Sequence, residues 1–276
     1  MIERRADSCE YLQFGHLAAV PGLTHAVFTR RGGFSAPPFA GLNLSFTTGD
    51  DPAAVQRNRA TVVAALGMPL VGARPVHGAT VVTVRPGERS GRWQEELRAR
   101  LRPAEADAMI SDEPGFALCW AYGDCAPVLL YDPPHHAFAL VHAGWRGAAA
   151  AVVLEAIAAM AERYGTRPAD LLAGVGPCIR ACCYEAGEHM RAAFRANPLS
   201  WESARFEERA RPDGAPGLYL DVGASNYGQL VAAGVPEDQI EDAGYCTGCR
   251  TDLFYSHRCE PKPSGRFAVA IGLCED

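Results

Sequence analysis

Apolar positions in this chain recur as short runs cut by Gly, Pro and Asp. The clearest are 116–122, 128–131, 137–141 and 267–273, none of which contains a charged residue. Uncharged runs of this length, bounded by turn residues, read as strands covered on both faces. Residues 24–30 form another strand-like run, and Arg31-Gly32-Gly33 follows as a turn. A further strand is expected over 42–47. Two more, 71–76 and 80–84, flank His77-Gly78, and shorter ones lie at 171–175 and 218–220. Helical signals sit between them. Asp51-Pro52 is an N-cap followed by a first-turn proline, and Gly67 closes that helix. Residues 147–164 predict a long Ala-rich helix stopped by Gly165, and 186–196 and 222–233 predict two more. The polar, arginine-rich stretch Glu88 to Arg102 reads as an exposed helix or loop, and 197–217 as a mobile loop. Strands and helices mix without strict alternation. The expected fold is therefore α+β, with mixed β-sheets flanked by helices rather than a doubly wound sheet. No repeat or composition shift divides the chain, so residues 1–276 are expected to form a single catalytic domain.

Composition narrows the function. The chain has 276 residues, 48% hydrophobic and 21% charged, which is ordinary for a globular protein. Its net charge of -6 argues against nucleic-acid binding, which needs Lys and Arg to neutralise phosphates. The longest apolar stretch, 148–161, is broken by Glu155 and reads as a buried helix, not a membrane span. The first ten residues include Glu3, Arg4, Arg5, Asp7 and Glu10 and carry no signal-peptide core, so a cytoplasmic location is expected. In a reducing compartment most of the ten cysteines are expected to be small packing residues.

Candidate chemistry gathers at strand ends. His77 lies between two strands, Cys125 follows Asp124 in a sharp turn, and His142 ends a buried strand before Ala143-Gly144-Trp145-Arg146-Gly147. One thiolate and two imidazoles suit zinc, and three protein ligands leave a fourth position open, as in catalytic sites. The same residues also fit a nucleophilic Cys125 with His142 as base. Asp124 fits either of two roles: orienting a ligand or moving a proton, or capping its turn. Cys246 and Cys249 with Cys259 and Cys274 are a weaker candidate for a structural zinc site, because the last two are not a close pair. Cys178, Cys182 and Cys183 read as packing residues, and His135-His136 as surface decoration.

Read together, the motifs become specific. Val76-His77-Gly78, Asp107-Ala108, Gly123-Asp124-Cys125-Ala126-Pro127-Val128, and Val141-His142-Ala143-Gly144-Trp145-Arg146-Gly147 resemble the YfiH family. Upstream, Thr29 to Ser35, Leu42-Asn43-Leu44, Gly49-Asp50-Asp51 and Asn58-Arg59 resemble its N-terminal motifs. Downstream, Gly176-Pro177-Cys178-Ile179, Tyr184-Glu185, Cys246-Thr247, Phe254 to Arg258 and Gly265-Arg266 resemble its later ones. The family is also known as laccase-domain or polyphenol oxidase proteins, as purine nucleoside phosphorylases and as peptidoglycan editing factors. The resemblance implies a metal held by His77, Cys125 and His142. It implies phosphorolysis of adenosine, inosine or methylthioadenosine, with deamination of adenosine beside it. Arg30, Asn43, Arg59 and Arg146 become candidates to hold substrate or phosphate, Arg by its planar fork of donors. The usual zinc deaminase signature, His-x-Glu with Pro-Cys-x-x-Cys, is absent. A copper-dependent polyphenol oxidase and a peptidoglycan-precursor amidase are the alternatives. The first needs imidazoles for several coppers, and the chain has only 8 histidines. The chain departs from the family at Pro75, Trp120, Tyr122 and His257, and the bulkier residues are expected to line the pocket.

Overall fold

The computed structural model describes residues 1–6, 8–85 and 104–275. Two six-stranded sheets lie face to face with helices outside both. The first sheet runs Ile2–Ala6, Cys9–Gln13, Leu23–Gly32, Phe267–Leu273, Phe116–Tyr122, Leu70–Val71. The second runs Ile240–Asp242, Leu172–Val175, Ala126–Asp132, Ala137–Ala143, Ala108–Ser111, Val81–Thr83. Both are mixed. Most neighbours are antiparallel, but Leu70–Val71 runs parallel to Phe116–Tyr122, as do Val81–Thr83 to Ala108–Ser111 and Leu172–Val175 to Ile240–Asp242. A small three-stranded sheet, Glu185–Ala186, Pro216–Leu220 and Phe206–Ala210, sits apart from them.

Strand parity explains the uncharged runs. Along Ala126–Asp132, Ala126, Val128 and Leu130 pack towards the helix Val222–Ala232, while Leu129 and Tyr131 pack towards the other sheet. Along Phe116–Tyr122, Phe116, Leu118, Trp120 and Tyr122 point between the sheets, and Ala117 and Cys119 towards the helix Pro52–Leu66. Alternate side chains fill different layers, so both sets must be apolar. Among the described residues no helix is long and apolar enough to cross a membrane.

The capping signals hold: the Asp51 side chain accepts from Ala53 N and Gly67 takes a left-handed φ of 70°. Four other expectations fail for local reasons. Residues 42–47 are not a strand, because Asn58 and Arg59 of the adjoining helix donate to the Asn43 and Leu44 carbonyls in place of a ladder. Of 71–76, only Val71 pairs in regular strand, and the rest bends to carry His77. The helix at 147–164 is two, Trp145–Ala149 and Val152–Tyr164, broken where Ala151 takes φ 61°. Gln229 donates to the Ala148 carbonyl, and Asn197 and Ser200 to that of Ala149, satisfying groups the break leaves open. Residues 197–217 are built of the helix Pro198–Trp201 and the pair Phe206–Ala210 and Pro216–Leu220. The arginine-rich stretch Glu88 to Arg102 lies outside the described residues.

One buried histidine makes the fold acid-sensitive. His25 is inaccessible to solvent, its Nε2 accepts from Phe14 N at 2.8 Å, and burial pulls its pKa down to about 4. The unfolded chain, with a pKa of about 6.5, binds the proton first. The stabilisation is complete above pH 6.5 and is lost as pH falls from there through 4, up to about 3 kcal/mol. Urea titrations at pH 7 and 4.5 are expected to show this loss, and His25→Gln, which keeps an acceptor, to reduce it. An unchanged pH dependence in the variant would remove His25 as its cause.

Candidate metal centre

Two buried aspartates build the site. The loop after Leu70–Val71 places His77 at φ 61°, a conformation that L side chains rarely adopt. The Asp107 carboxylate holds it there. It accepts from Val76 N at 3.1 Å, Gly78 N at 2.9 Å and Thr80 N at 3.4 Å. The Asp107 carbonyl also accepts from His142 N at 2.7 Å, which ties a second candidate ligand to the same residue. The third comes from the turn that carries the chain from the first sheet to the second. There Asp124 takes φ 89° immediately before Cys125. Its carboxylate accepts from Thr247 Oγ1 at 2.6 Å, Ser256 Oγ at 2.7 Å and Arg258 N at 2.7 Å, so both oxygens are used within the protein.

His77, Cys125 and His142 bring one donor atom each to within 4.8 Å of one another. His142 is at an even position of its strand and points between the sheets, where the Tyr122 ring lies 5.2 Å and the His77 ring 5.2 Å away. Its Nδ1 is buried without a hydrogen-bond partner. A Cβ at Gly144 would sit 2.7 Å from the Cys125 sulfur, so glycine lets the strand end close on the thiol. Burial, reinforced by Asp124, pushes the Cys125 thiol up to about 12, and burial beside His77 pulls His142 down to about 3. Both are neutral at pH 7 without a metal, and a divalent ion bound here would displace the thiol proton of Cys125. Sulfur and two nitrogens at this spacing fit a borderline-soft divalent ion such as zinc.

Two cavities meet at this trio and share His77, Gly123, Cys125 and His257. The larger, about 480 Å³, adds Arg59, Arg74, Trp120 and Arg266 among its walls; the other, about 370 Å³, adds Trp145, Arg146, Tyr184, Arg258 and Lys262. Both volumes are in the range of small-molecule sites.

A family model described as multi-copper polyphenol oxidoreductase laccase matches residues 24–274. The chain belongs to this laccase-domain family, the YfiH family of the motifs. It is 33% identical over 267 residues to the purine nucleoside phosphorylase YlmD of Geobacillus stearothermophilus, covering 94% of this chain and 91% of that one. A purine nucleoside phosphorylase of Bacteroides thetaiotaomicron is 32% identical over 263 residues, covering 94% and 95%. The crystal structure of YfiH from Bacillus licheniformis superposes with a TM-score of 0.86 at 31% identity, covering 98% of each chain.

Within this YfiH-family fold the candidate substrate residues separate. Arg59 and Arg146 reach the walls of different cavities. Arg30 lines neither. It donates to Glu260 at 2.5 Å and to the Thr251 carbonyl, and stacks over Tyr255. Glu260 in turn accepts from Ser256 N, so Arg30 braces the loop that carries His257. Asn43 is fully buried: its amide donates to Asp50 and Thr48 and its oxygen accepts from Arg266 N. It positions Arg266 and is closed to a ligand. Tyr122 is not a pocket wall either, since it is buried behind His142 with its hydroxyl on the Val141 carbonyl. Trp120 and His257 do line the site.

Sequence reasoning missed the bracing role of Asp107 and the part of Arg266, although both sat inside quoted motifs. Arg266 packs on Gly123 and points Nη2 at His257 Nδ1, 3.2 Å away. An arginine can only donate, so Nδ1 accepts and the neutral His257 ring carries its proton on Nε2. Burial and the Arg266 and Lys262 charges hold the His257 pKa below its ordinary value.

The four-cysteine set drawn from sequence does not assemble. Cys274 lies against Thr24 and Cys259 falls outside the group; Cys246 and Cys249 meet Cys182 and Cys183 instead. His135 pairs with the buried Asp132, and His136 lies against Tyr131, away from the trio.

Replacing Asp107 tests the brace. Asp107→Asn leaves main-chain N–H groups facing an amide, and is expected to lower unfolding free energy by about 3 kcal/mol in urea. A midpoint equal to wild type would show that the His77 loop holds itself.

Proposed function

We propose that this chain is a zinc-dependent purine nucleoside phosphorylase, with His77, Cys125 and His142 as the metal ligands. The observation that carries the reading is the Cys-His-His trio, its donor atoms within 4.8 Å of one another, at the seam of two cavities walled by cations and aromatic rings. His77, Cys125 and His142 would hold a divalent ion, which would supply Lewis-acid polarisation of a substrate or an activated water, and phosphorolysis and adenosine deamination each need one of these.

The residues divide the remaining work. Arg146 and Lys262 are exposed, and among the described residues neither hydrogen-bonds to another group, although Arg146 stacks over Trp145. They are free to take phosphate, with Arg258 beside them. Arg59 and Arg266 already donate to the carbonyls of Leu44 and of Ser264 and Gly265, and stiffen the opposite wall. Trp120, buried behind that wall with its indole N–H on the Ala73 carbonyl, shapes the floor of the cavity. His257, at the junction, is placed to give or take a proton through Nε2. Asp124, with its oxygens spent on the protein, positions Cys125 and does not exchange protons with substrate. Inosine, adenosine and methylthioadenosine are the proposed nucleosides.

The donor set supports one metal per trio. The remaining histidines join no further cluster among the described residues, which disfavours several coppers acting together. The close relatives named as purine nucleoside phosphorylases support the substrate class.

The deciding assay incubates metal-analysed protein with inosine or adenosine, with and without phosphate. Free base and ribose 1-phosphate are expected only with phosphate, and neither product from Cys125→Ala. If no nucleoside turns over while the trio holds one metal, the substrate is wrong, and release of an amino acid from muramyl precursors becomes the next assay.

Gly144→Ala provides a subtler probe. Backbone at φ -73° and ψ 179° suits alanine, so its effect falls on the Cys125 sulfur alone. Occupancy of the trio by metal and kcat/KM are expected to drop at least ~10-fold with little change in Tm. Wild-type metal binding by this variant would show that the thiol does not hold the ion.

A further inference from the structure

Sulfurs are also gathered outside the nucleoside site. Cys182, Cys183, Cys246 and Cys249 bring their sulfurs to within 4.8 Å of one another, with Cys249 3.5 Å from Cys182 and 3.4 Å from Cys183. We propose that these four cysteines bind a single structural zinc ion that clamps the 178–184 segment to the 246–250 loop. This site is separate from the trio and does not depend on the nucleoside reading.

Geometry argues first. Four sulfurs around zinc at ~2.3 Å stand ~3.8 Å apart in a tetrahedron, close to the separations seen. The four are free thiols, well beyond the ~2.05 Å of a disulfide. An all-thiolate set selects zinc or iron, and four protein ligands close the coordination sphere, as in structural sites.

The backbone brings the cysteines together. Arg250 N donates to the Cys246 carbonyl at 2.9 Å, closing the turn that carries Cys246 and Cys249. Gly248 lets the two arms approach, since a Cβ there would meet Cys183 Cβ at 2.9 Å and Cys259 Sγ at 2.6 Å. Arg209 donates to the carbonyls of Ala181 and Cys182 at 2.7 and 3.0 Å, fixing the other arm and setting a positive charge beside the cluster.

Ordinary packing does not account for the group. Cys9, Cys119 and Cys178 are buried and behave as small hydrophobes, and Cys246 lies at the edge of the core with Cys183 packed against it, whereas Cys182 and Cys249 are exposed. Two exposed thiols drawn onto a buried one by tight turns bury little apolar surface.

The clamp would support the first site. Thr247, between the two ligands of one arm, donates to Asp124 Oδ1, and its N–H bonds the Cys178 carbonyl at 3.0 Å. Ile179 N donates to the Asp124 carbonyl at 2.9 Å. Both arms therefore hold the residue that precedes Cys125.

Metal counting decides the matter. Full-length protein is purified under reducing conditions as wild type, Cys125→Ser, Cys249→Ser and the double variant. Cys125→Ser is expected to keep one zinc per chain, and cobalt exchanged into it to show the intense visible absorption of an all-thiolate tetrahedral ion. The double variant is expected to hold none, and Cys249→Ser to have a lower Tm than wild type. Should Cys249→Ser fail to fold, Cys182→Ser, on an exposed turn, is expected to give the same loss of one zinc. The proposal is overturned if Cys125→Ser contains no metal, if its metal survives Cys249→Ser or Cys182→Ser, or if a disulfide within the four is found in place of metal. A missing nucleoside activity with this zinc present would count against the phosphorylase reading only.

Discussion

Two buried carboxylates, each spent on N–H and O–H groups of surrounding loops, hold this site in shape. Asp107 and Asp124 together accept six such bonds, and each secures a residue at positive φ, His77 or Asp124 itself. A left-handed conformation at a non-glycine residue costs on the order of 1–2 kcal/mol and persists only where its surroundings over-determine it. Here charge-assisted bonds in a water-poor interior offset that cost. The strain lets donor atoms converge. A relaxed turn at either position would turn His77 or Cys125 away from His142.

The sheets explain why the site is where it is. The chain leaves the first sheet at Tyr122 and enters the second at Ala126, so Gly123 to Cys125 must bridge the layers within three residues. His142 projects from the second sheet into the same interlayer because its strand parity is even. Donor atoms from both layers then converge at an open end of the sandwich, where loops from residues 45–47, 73–77, 144–146 and 256–266 form walls. A rigid double sheet sets the candidate donors, and loops wall the space beside them.

Much of this was legible in the chain. Uncharged runs marked the central strands because both of their faces are covered, and Asp51-Pro52 with Gly67 marked a helix through local chemistry alone. That His77, Cys125 and His142 come together could be anticipated from motif context. What escaped was long-range. The break at Ala151 depends on Asn197, Ser200 and Gln229, some 50 to 80 residues away, taking carbonyls that an uninterrupted helix would use. The irregular path at 42–47 depends on side chains of a later helix. Arg30 and Asn43 looked like substrate ligands because both are polar residues in motifs; the structure spends them on Glu260 and Asp50. The Cys182-Cys183 pair looked like packing because its partners lie more than 60 residues further on.

Charge distribution supplies the last step. The chain as a whole is acidic, at -6, yet five cationic side chains, Arg59, Arg146, Arg258, Lys262 and Arg266, line the two cavities at the trio, beside Arg74, which is paired with Glu105. The one carboxylate among the lining residues, Asp124, is already saturated with hydrogen bonds. Cys125 and His142 contribute no charge at neutral pH. Walls of one sign around a recessed seam focus the field inward and raise the local concentration of anions, an effect that falls with ionic strength. A recessed seam of this charge favours an anion small enough to enter it. Under the phosphorylase reading proposed above that anion is inorganic phosphate, and Arg146 and Lys262, without hydrogen-bond partners among the described residues, are where it would lose least on arrival.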